Sequence, residues 1–355
     1  MADRRLLKEL TEAFGPSGFE TEPGRIMARE LGQSGEVMRD GLGSVICRVK
    51  GSAERPRVMV SAHMDEIGFM VKEVTRDGYI RFLPIGGWSP QVLLGQRVRV
   101  RTRRGDFAGV IGTRPPHELT EEEKKQLPTI EKMFIDIGAS EGIDVAAETG
   151  VRPGDPIVPD APFTEMVNGL MMAKAWDDRG GCAIIVEAVR QLAARAHPNT
   201  VFFVGSAQEE VGLRGARTAA ELAEPDVALA LDVSLCGENP DRARKDVVER
   251  LGNGAAILVH DNSMIPNIRL RDWVIELAEK EGIRHHLTTV RGGYDTGAVH
   301  VLRGGVPSLV IGWPTRYIHA HAGIAAESDY DAAVRLLLAI LERLDQCTSD
   351  SLRSF

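Results

Sequence analysis

Thr200-Val201-Phe202-Phe203-Val204-Gly205-Ser206-Ala207-Gln208-Glu209-Glu210 is an apolar run that ends in two adjacent carboxylates. Its near-continuous hydrophobicity, rich in β-branched and aromatic residues, predicts a strand buried on both faces. Two acidic side chains at the end of a core strand are costly unless each has a partner or a task. Neighbouring side chains of an extended chain face opposite ways. One of the pair can therefore hold a cation while the other faces a reacting water.

Outward from this stretch, the pattern is of strands alternating with helices. Residues 180–194 predict a helix whose apolar side is Ile184, Ile185, Ala188, Val189 and Leu192. Downstream come a helix over 215–222, strands over 227–231 and 256–259, an amphipathic helix over 267–281 and a strand over 285–290. A short helix over 296–303, an apolar strand over 307–311 and a last helix over 328–344 follow, and the polar tail after Leu344 is expected to fray. Upstream, Leu6 to Phe14 and Ile26 to Leu31 carry helical faces, while 45–49 and 57–62 read as strands. This alternation predicts an α/β fold with a mainly parallel sheet and helices on both faces. Sites in such sheets gather outside the carboxyl ends of strands. Asp65, Glu209, Glu210 and Asp232 all fall at such ends.

The texture changes between residues 68 and 159. Short β-like runs at 78–83, 96–100, 107–111 and 133–137 are broken by glycines, and the one helical piece is the polar stretch 118–127. We expect an inserted all-β, barrel-like domain over 68–159, interrupting a discontinuous α/β domain made of 1–67 and 160–355.

Bulk properties narrow the function. The 355 residues carry 43 basic and 51 acidic side chains, a formal net charge of -8, with no long basic stripe. That excludes a general nucleic-acid binder. No apolar run has transmembrane length, and the opening residues alternate like a helix rather than a signal peptide. Cys47, Cys182, Cys236 and Cys347 are scattered without a CxxC pair, so free thiols in a reducing cytoplasm are expected.

The residues that could hold a metal are His63, Asp177, Glu210, Asp232 and His319, all at strand ends or in glycine-rich loops. Imidazoles with carboxylates suit Zn, Co or Mn, and the thiolates of a structural zinc site are missing. Two ions need a shared ligand; a carboxylate can bridge where an imidazole cannot, and Asp177 is the natural bridge. Each ion would then carry one histidine and one further carboxylate, a pair that activates water. Glu209 is the candidate base, having a flexible arm and a tunable pKa. Asp65, in His63-Met64-Asp65, would hold the imidazole or a charged neighbour in place. Asp178 would cap the helix that follows and Arg179 would compensate charge. Spacing does not separate His319 from His321. Arg291-Gly292-Gly293-Tyr294-Asp295-Thr296-Gly297 lacks phosphate-loop spacing and suits a pocket rim, with Asp295 as a helix cap or a substrate-ammonium partner, the cap being the simpler role. Each residue alone has an ordinary reading as a strand-end polar group, a cap or a turn.

Taken in order, the runs Ala62-His63-Met64-Asp65-Glu66-Ile67-Gly68, Ala175-Trp176-Asp177-Asp178-Arg179, Gln208-Glu209-Glu210-Val211-Gly212, Ala230-Leu231-Asp232-Val233 and Pro314-Thr315-Arg316-Tyr317-Ile318-His319 resemble the M42 family of metallo-aminopeptidases. That family includes tetrahedral aminopeptidases, glutamyl aminopeptidase-like enzymes and proteins labelled cellulase M or FrvX. The resemblance covers nearly the whole chain. It implies a cytoplasmic enzyme that removes N-terminal residues from short peptides with two divalent ions per subunit. By motif position, His63 and Asp232 would hold one ion, Glu210 and His319 the other, and Asp177 would bridge them. Glu209 would be the base and Asp65 an orienting partner. The inserted domain would drive assembly, commonly of dimers into a homododecamer with its sites facing inward. Trp176, Tyr294, Thr296 and the segment Ser234 to Pro240 depart from the family's usual residues and bear on substrate preference. Arg271, Arg291 and Arg316 are candidate cations for an acidic first residue. The alternative activity is a metal-dependent deacylase or carboxypeptidase on a related scaffold.

Overall fold

Thr200–Ser206 is a strand with every residue buried, as its unbroken apolar run requires. Alternate side chains leave it in opposite directions: Val201 and Phe203 enter one core, Phe202 and Val204 another. It pairs in parallel with Arg57–His63, and the register sets Ser206 opposite His63. Arg57–His63 pairs in parallel with Val227–Leu235, which pairs in parallel with Ser308–Arg316. These four strands are the centre of an eleven-stranded sheet, and His63 at the end of its strand, Asp232 three residues before the end of its own, and the loop carrying Glu209 and Glu210 line one cavity. The computed structural model describes residues 2–241 and 247–353. The outermost positions of the two predicted α/β segments, 1, 354 and 355, lie outside them.

Among the described strands the parallel arrangement is confined to this centre and to the pair Ala255–His260 and His285–Thr289. The flanks are antiparallel: Glu36–Arg39 and Val45–Lys50 on one side, Gly323–Ala326, Leu170–Ala173 and Thr164–Glu165 on the other. The two edge strands, Glu36–Arg39 and Thr164–Glu165, escape sequence reading because an edge need not be apolar. None of the four residues of Glu36–Arg39 is buried, and Thr164–Glu165 is exposed throughout.

Helices cover both faces. Arg4–Glu12, Thr21–Leu31, Trp176–Leu192, Ile268–Lys280 and Glu327–Arg343 contribute to the larger core. Arg214–Ala223 and Asp295–Val299 close the other face on Ile46, Met59, Phe202 and Val204. Trp176–Leu192 lies close against the sheet because Gly180 has no Cβ; one added there would sit 1.9 Å from the buried ring of Trp313. The described part of the tail, to residue 353, is not frayed as expected. Gln346–Ser351 is a helix, capped by Asp345, whose carboxylate accepts the Thr348 N–H at 2.8 Å.

Between residues 67 and 160 the chain builds a closed antiparallel barrel from Gly68–Val74, Ile80–Ile85, Arg97–Thr102, Gly105–Gly112, Phe134–Asp136 and Pro156–Pro159. Phe69, Val71, Ile80, Phe82, Val98 and Val100 are among the side chains that fill it. Stretch 118–127 does not form the helix its composition suggests. It holds only the single turns Pro116–Glu118 and Glu123–Lys125, since a polar segment has no apolar stripe to bury. Among the described residues no helix is long and apolar enough to cross a membrane, and the four cysteines are unpaired.

Candidate metal centre

The carboxyl ends of the central strands surround a cavity of about 570 Å³. His63, Asp177, Glu209, Glu210, Asp232 and His319 all line it. Asp177 lies at the middle. Its Oδ1 is 2.8 Å from His63 Nε2, and its Oδ2 is 3.2 Å from His319 Nε2. Glu210 Oε1 lies 3.4 Å from the same nitrogen of His319, and Asp232 Oδ2 is 3.9 Å from His63 Nε2. Glu209 Oε2 is 3.9 Å from His63 Nε2. Two overlapping sets of ligand atoms each lie within 4.8 Å of one another: His63, Asp177 and Glu210, and His63, Asp178 and Asp232.

Unusual backbone aims several of these side chains. Asp177 and Asp178 have non-helical angles although they stand in the first turn of Trp176–Leu192, so both carboxylates leave the helix axis. Ala175, Gln208, Leu213, Tyr317 and His319 hold φ between 53° and 59° without being glycine. Such residues cost about 1–3 kcal/mol each and collect where function fixes the backbone. His319 is further held by its Nδ1, 2.8 Å from the carbonyl of Gly87, which the barrel supplies.

Asp65 is fully buried and does not face the cavity. Its carboxylate accepts the N–H groups of Glu209 at 2.9 Å and Glu210 at 3.1 Å, and the Ser17 hydroxyl at 2.6 Å. Its backbone carbonyl meets His63 Nδ1 at 3.1 Å. Asp65 therefore touches both the imidazole and the acidic loop. Asp178 accepts the Gly181 N–H, as a cap does, and also the N–H of His63, both at 3.1 Å.

Three expectations change. Arg179 compensates Glu66 rather than the adjacent aspartates: its buried guanidinium lies 3.7 Å from that carboxylate and donates to the carbonyls of Leu10 and Gly15. Lys174, beside it, binds Glu66 at 2.6 Å. Asp295 is not a cap. It is buried, and accepts the Ser206 hydroxyl at 2.6 Å beneath the site. Arg316 is paired with Glu238 at 2.6 Å and Arg271 with Asp272, so Arg291 is the one of the three that lines the cavity. His321 does not line the cavity either; it lies against Trp88, and burial lowers its pKa to about 4. Sequence reading missed Ser17, Glu20 and Gly87. Gly15-Pro16-Ser17-Gly18 reads only as a helix stop, and nothing in a β-like stretch marks one carbonyl.

The charge balance asks for cations. Burial pushes Glu209, Asp232 and Asp178 far above the usual carboxylate range, and Glu210 upward as well. Asp177 goes the other way: against the cost of burial, bonds from His319 and His63 hold it down. His319 is raised to about 11, the pull of Asp177 and Glu210 overcoming desolvation. Glu210 Oε1 is buried and makes no hydrogen bond. Protons on these groups do what divalent ions would do better, and the donor set of imidazole nitrogens and carboxylate oxygens fits a pair of Zn, Co or Mn ions. Binding must expel those protons. Apparent affinity should therefore fall as pH falls, by about tenfold per pH unit for each proton released per ion. Metal titrations at pH 5.5 and 7.5 should show this loss, and equal affinities would mean the ligands are already deprotonated.

The model of the family described as M42 glutamyl aminopeptidase matches residues 43–336. The putative aminopeptidase FrvX of Escherichia coli (strain K12) is 38% identical over 354 residues, 99% of this chain and 97% of that one. The structure of the TET aminopeptidase of Thaumarchaeota archaeon SCGC AB-539-E09 matches with a TM-score of 0.95 at 44% identity, covering 98% of each chain. The TET1 peptidase of Pyrococcus horikoshii, which can assemble into a tetrahedron or a large octahedral shell, matches with a TM-score of 0.85 at 31% identity, over 96% of this chain and 99% of that one.

Proposed function

The chain belongs to the M42 family of aminopeptidases and is a metal-dependent enzyme with a dinuclear site, and from that premise we propose how its residues divide the work on the N-terminus of a peptide. The observation that carries the proposal is the Asp177 carboxylate, with one oxygen toward each of two imidazoles. In this reading His63 and Asp232 hold one ion, Glu210 and His319 the other, and Asp177 is shared. The ions, when bound, supply Lewis acidity at the scissile carbonyl, a water of lowered pKa and an anchor for the free amine. Glu209 takes the proton of the attacking water and returns it to the leaving amine. Asp65 holds the backbone of Glu209 and Glu210 and braces the ring of His63.

The walls beyond the cluster are Leu213, Val233, Leu235, Val290 and Ile318, with Arg291 as the cation among them. Such a cavity accepts aliphatic or acidic first residues and disfavours basic ones. We take residues 68–159 as the assembly domain of an α/β enzyme made of 1–67 and 160–355. Leu83, Leu94, Val110, Leu127 and Ile143 stand exposed within it, more apolar surface than a lone barrel needs. The assembly is a homododecamer built from dimers, working in the cytoplasm on short peptides.

Profiling with chromogenic aminoacyl substrates and blocked peptides, before and after chelation and with Zn, Co or Mn restored, tests the activity. Free-amine substrates should be cut only by the metal-loaded protein. Cleavage of N-blocked or C-terminal bonds instead would support a deacylase or carboxypeptidase.

A further inference from the structure

The acidic loop is gripped from behind by a turn at the far end of the sequence. Three successive N–H groups, those of Gln208, Glu209 and Glu210, each donate to a carboxylate. Glu209 and Glu210 donate to Asp65, and Gln208 donates to Glu20 Oε1 at 3.0 Å. The same oxygen of Glu20 accepts the Gly18 N–H at 2.8 Å, and Ser17 donates to Asp65 Oδ2 at 2.6 Å. Ser17 and Glu20 are both buried. Residues 17–20 thus hold one carboxylate directly and supply the other.

This turn has little freedom of its own. The carbonyl of Gly15 accepts the Glu66 N–H at 3.1 Å and an Arg179 N–H at 3.0 Å. Lys174 donates to the Ala13 carbonyl at 3.2 Å while bound to Glu66. Arg179 stands two residues after Asp177 in the opening of Trp176–Leu192, so the turn is tied to the element that carries the shared ligand. Gln208, at φ 57°, stands in a left-handed conformation that a non-glycine residue keeps only when neighbours over-determine it. Successive N–H groups beside such a residue form a concavity suited to an anion. Here the anions are Glu20 and Asp65.

We propose that Ser17 and Glu20 are positioning residues for the reaction: Ser17 acting through Asp65, and Glu20 through the Gln208 N–H, set where the Glu209 carboxylate stands. The proposal rests on Glu209 being the base, but its geometric half does not. Neither residue lines the cavity, so neither touches substrate. Ser17→Thr keeps a hydroxyl donor, and Glu20→Gln keeps an acceptor oxygen for both N–H groups. Ser17→Ala and Glu20→Ala remove them.

Two measurements decide it. The first is hydrogen exchange of the peptide covering residues 207–213 in metal-free protein, where the alanine variants should exchange at least tenfold faster while the sheet centre is unchanged. The second is steady-state kinetics on metal-replete enzyme. There the alanine variants should lose about tenfold or more in kcat with KM within twofold and the acidic limb of the pH profile displaced, and Ser17→Thr and Glu20→Gln should recover most of it. Unchanged exchange in both alanine variants overturns the proposal. So does a kcat within twofold of the parent, or a loss of activity that follows loss of metal or of the cooperative thermal transition. If the parent enzyme cuts no free-amine substrate, the aminopeptidase reading fails, and accelerated exchange still upholds the grip on the loop.

Discussion

Glu209→Gln should leave two ions per subunit in place and lower kcat by about 10²–10⁴-fold, the range general acid–base groups supply. The substitution changes little else. Glutamine has the same reach, and the N–H of residue 209 still meets Asp65, since that bond at 2.9 Å is made by backbone. Glu210 and His319 keep their places. What is lost is an oxygen able to carry a proton beside the ligands. Burial and the negative charge of Asp232 and Glu210 raise the proton affinity of Glu209, while the His63 charge opposes them. KM should move little, because binding through the amine and the apolar walls does not use this oxygen. The check is metal content by mass spectrometry alongside single-substrate kinetics. Turnover within tenfold of the parent, with both ions present, would remove Glu209 from the role of base.

Asp177→Ala should empty the whole centre rather than half of it. A monodentate ligand lost from one site would leave the other ion bound. Asp177 has one oxygen 2.8 Å from His63 and the other 3.2 Å from His319, so its removal strips a ligand from both sides. Each side then keeps one imidazole and one carboxylate, too few for tight binding of a four-coordinate ion. Less than about one-tenth of an ion per subunit should survive desalting, and activity should vanish with it. The fold should persist, because Asp177 faces the cavity and not the core, and circular dichroism can confirm this. Two ions still bound would refute a shared carboxylate; one would assign Asp177 to a single site.

The sequence made some of this readable and hid the rest for physical reasons. Thr200 to Ser206 announces a buried strand because both faces are covered, and Glu209 and Glu210 then stand where such strands end. Asp177 and Asp178 announce a helix start, but not the angles that turn both carboxylates aside. The antiparallel flanks leave little trace, since Glu36–Arg39 meets solvent and Thr164–Glu165 is two residues long. Residues 118–127 have helix-forming composition without a stripe to bury, and propensity alone did not fold them. Glu20 meets Gln208 across 188 positions, and no periodicity records a hydrogen bond of that kind. Arg179 sits beside two aspartates in sequence yet serves the carbonyls of another segment. Adjacency on paper was a poor guide to which charge meets which.

The hydrogen bond between the Gly87 carbonyl and His319 joins the barrel to the catalytic half. A shortened enzyme made by deleting the barrel would thus lose a contact of the site itself: one imidazole would be free to swing. Anyone seeking a minimal soluble catalyst from this scaffold would have to graft a substitute acceptor at that spot.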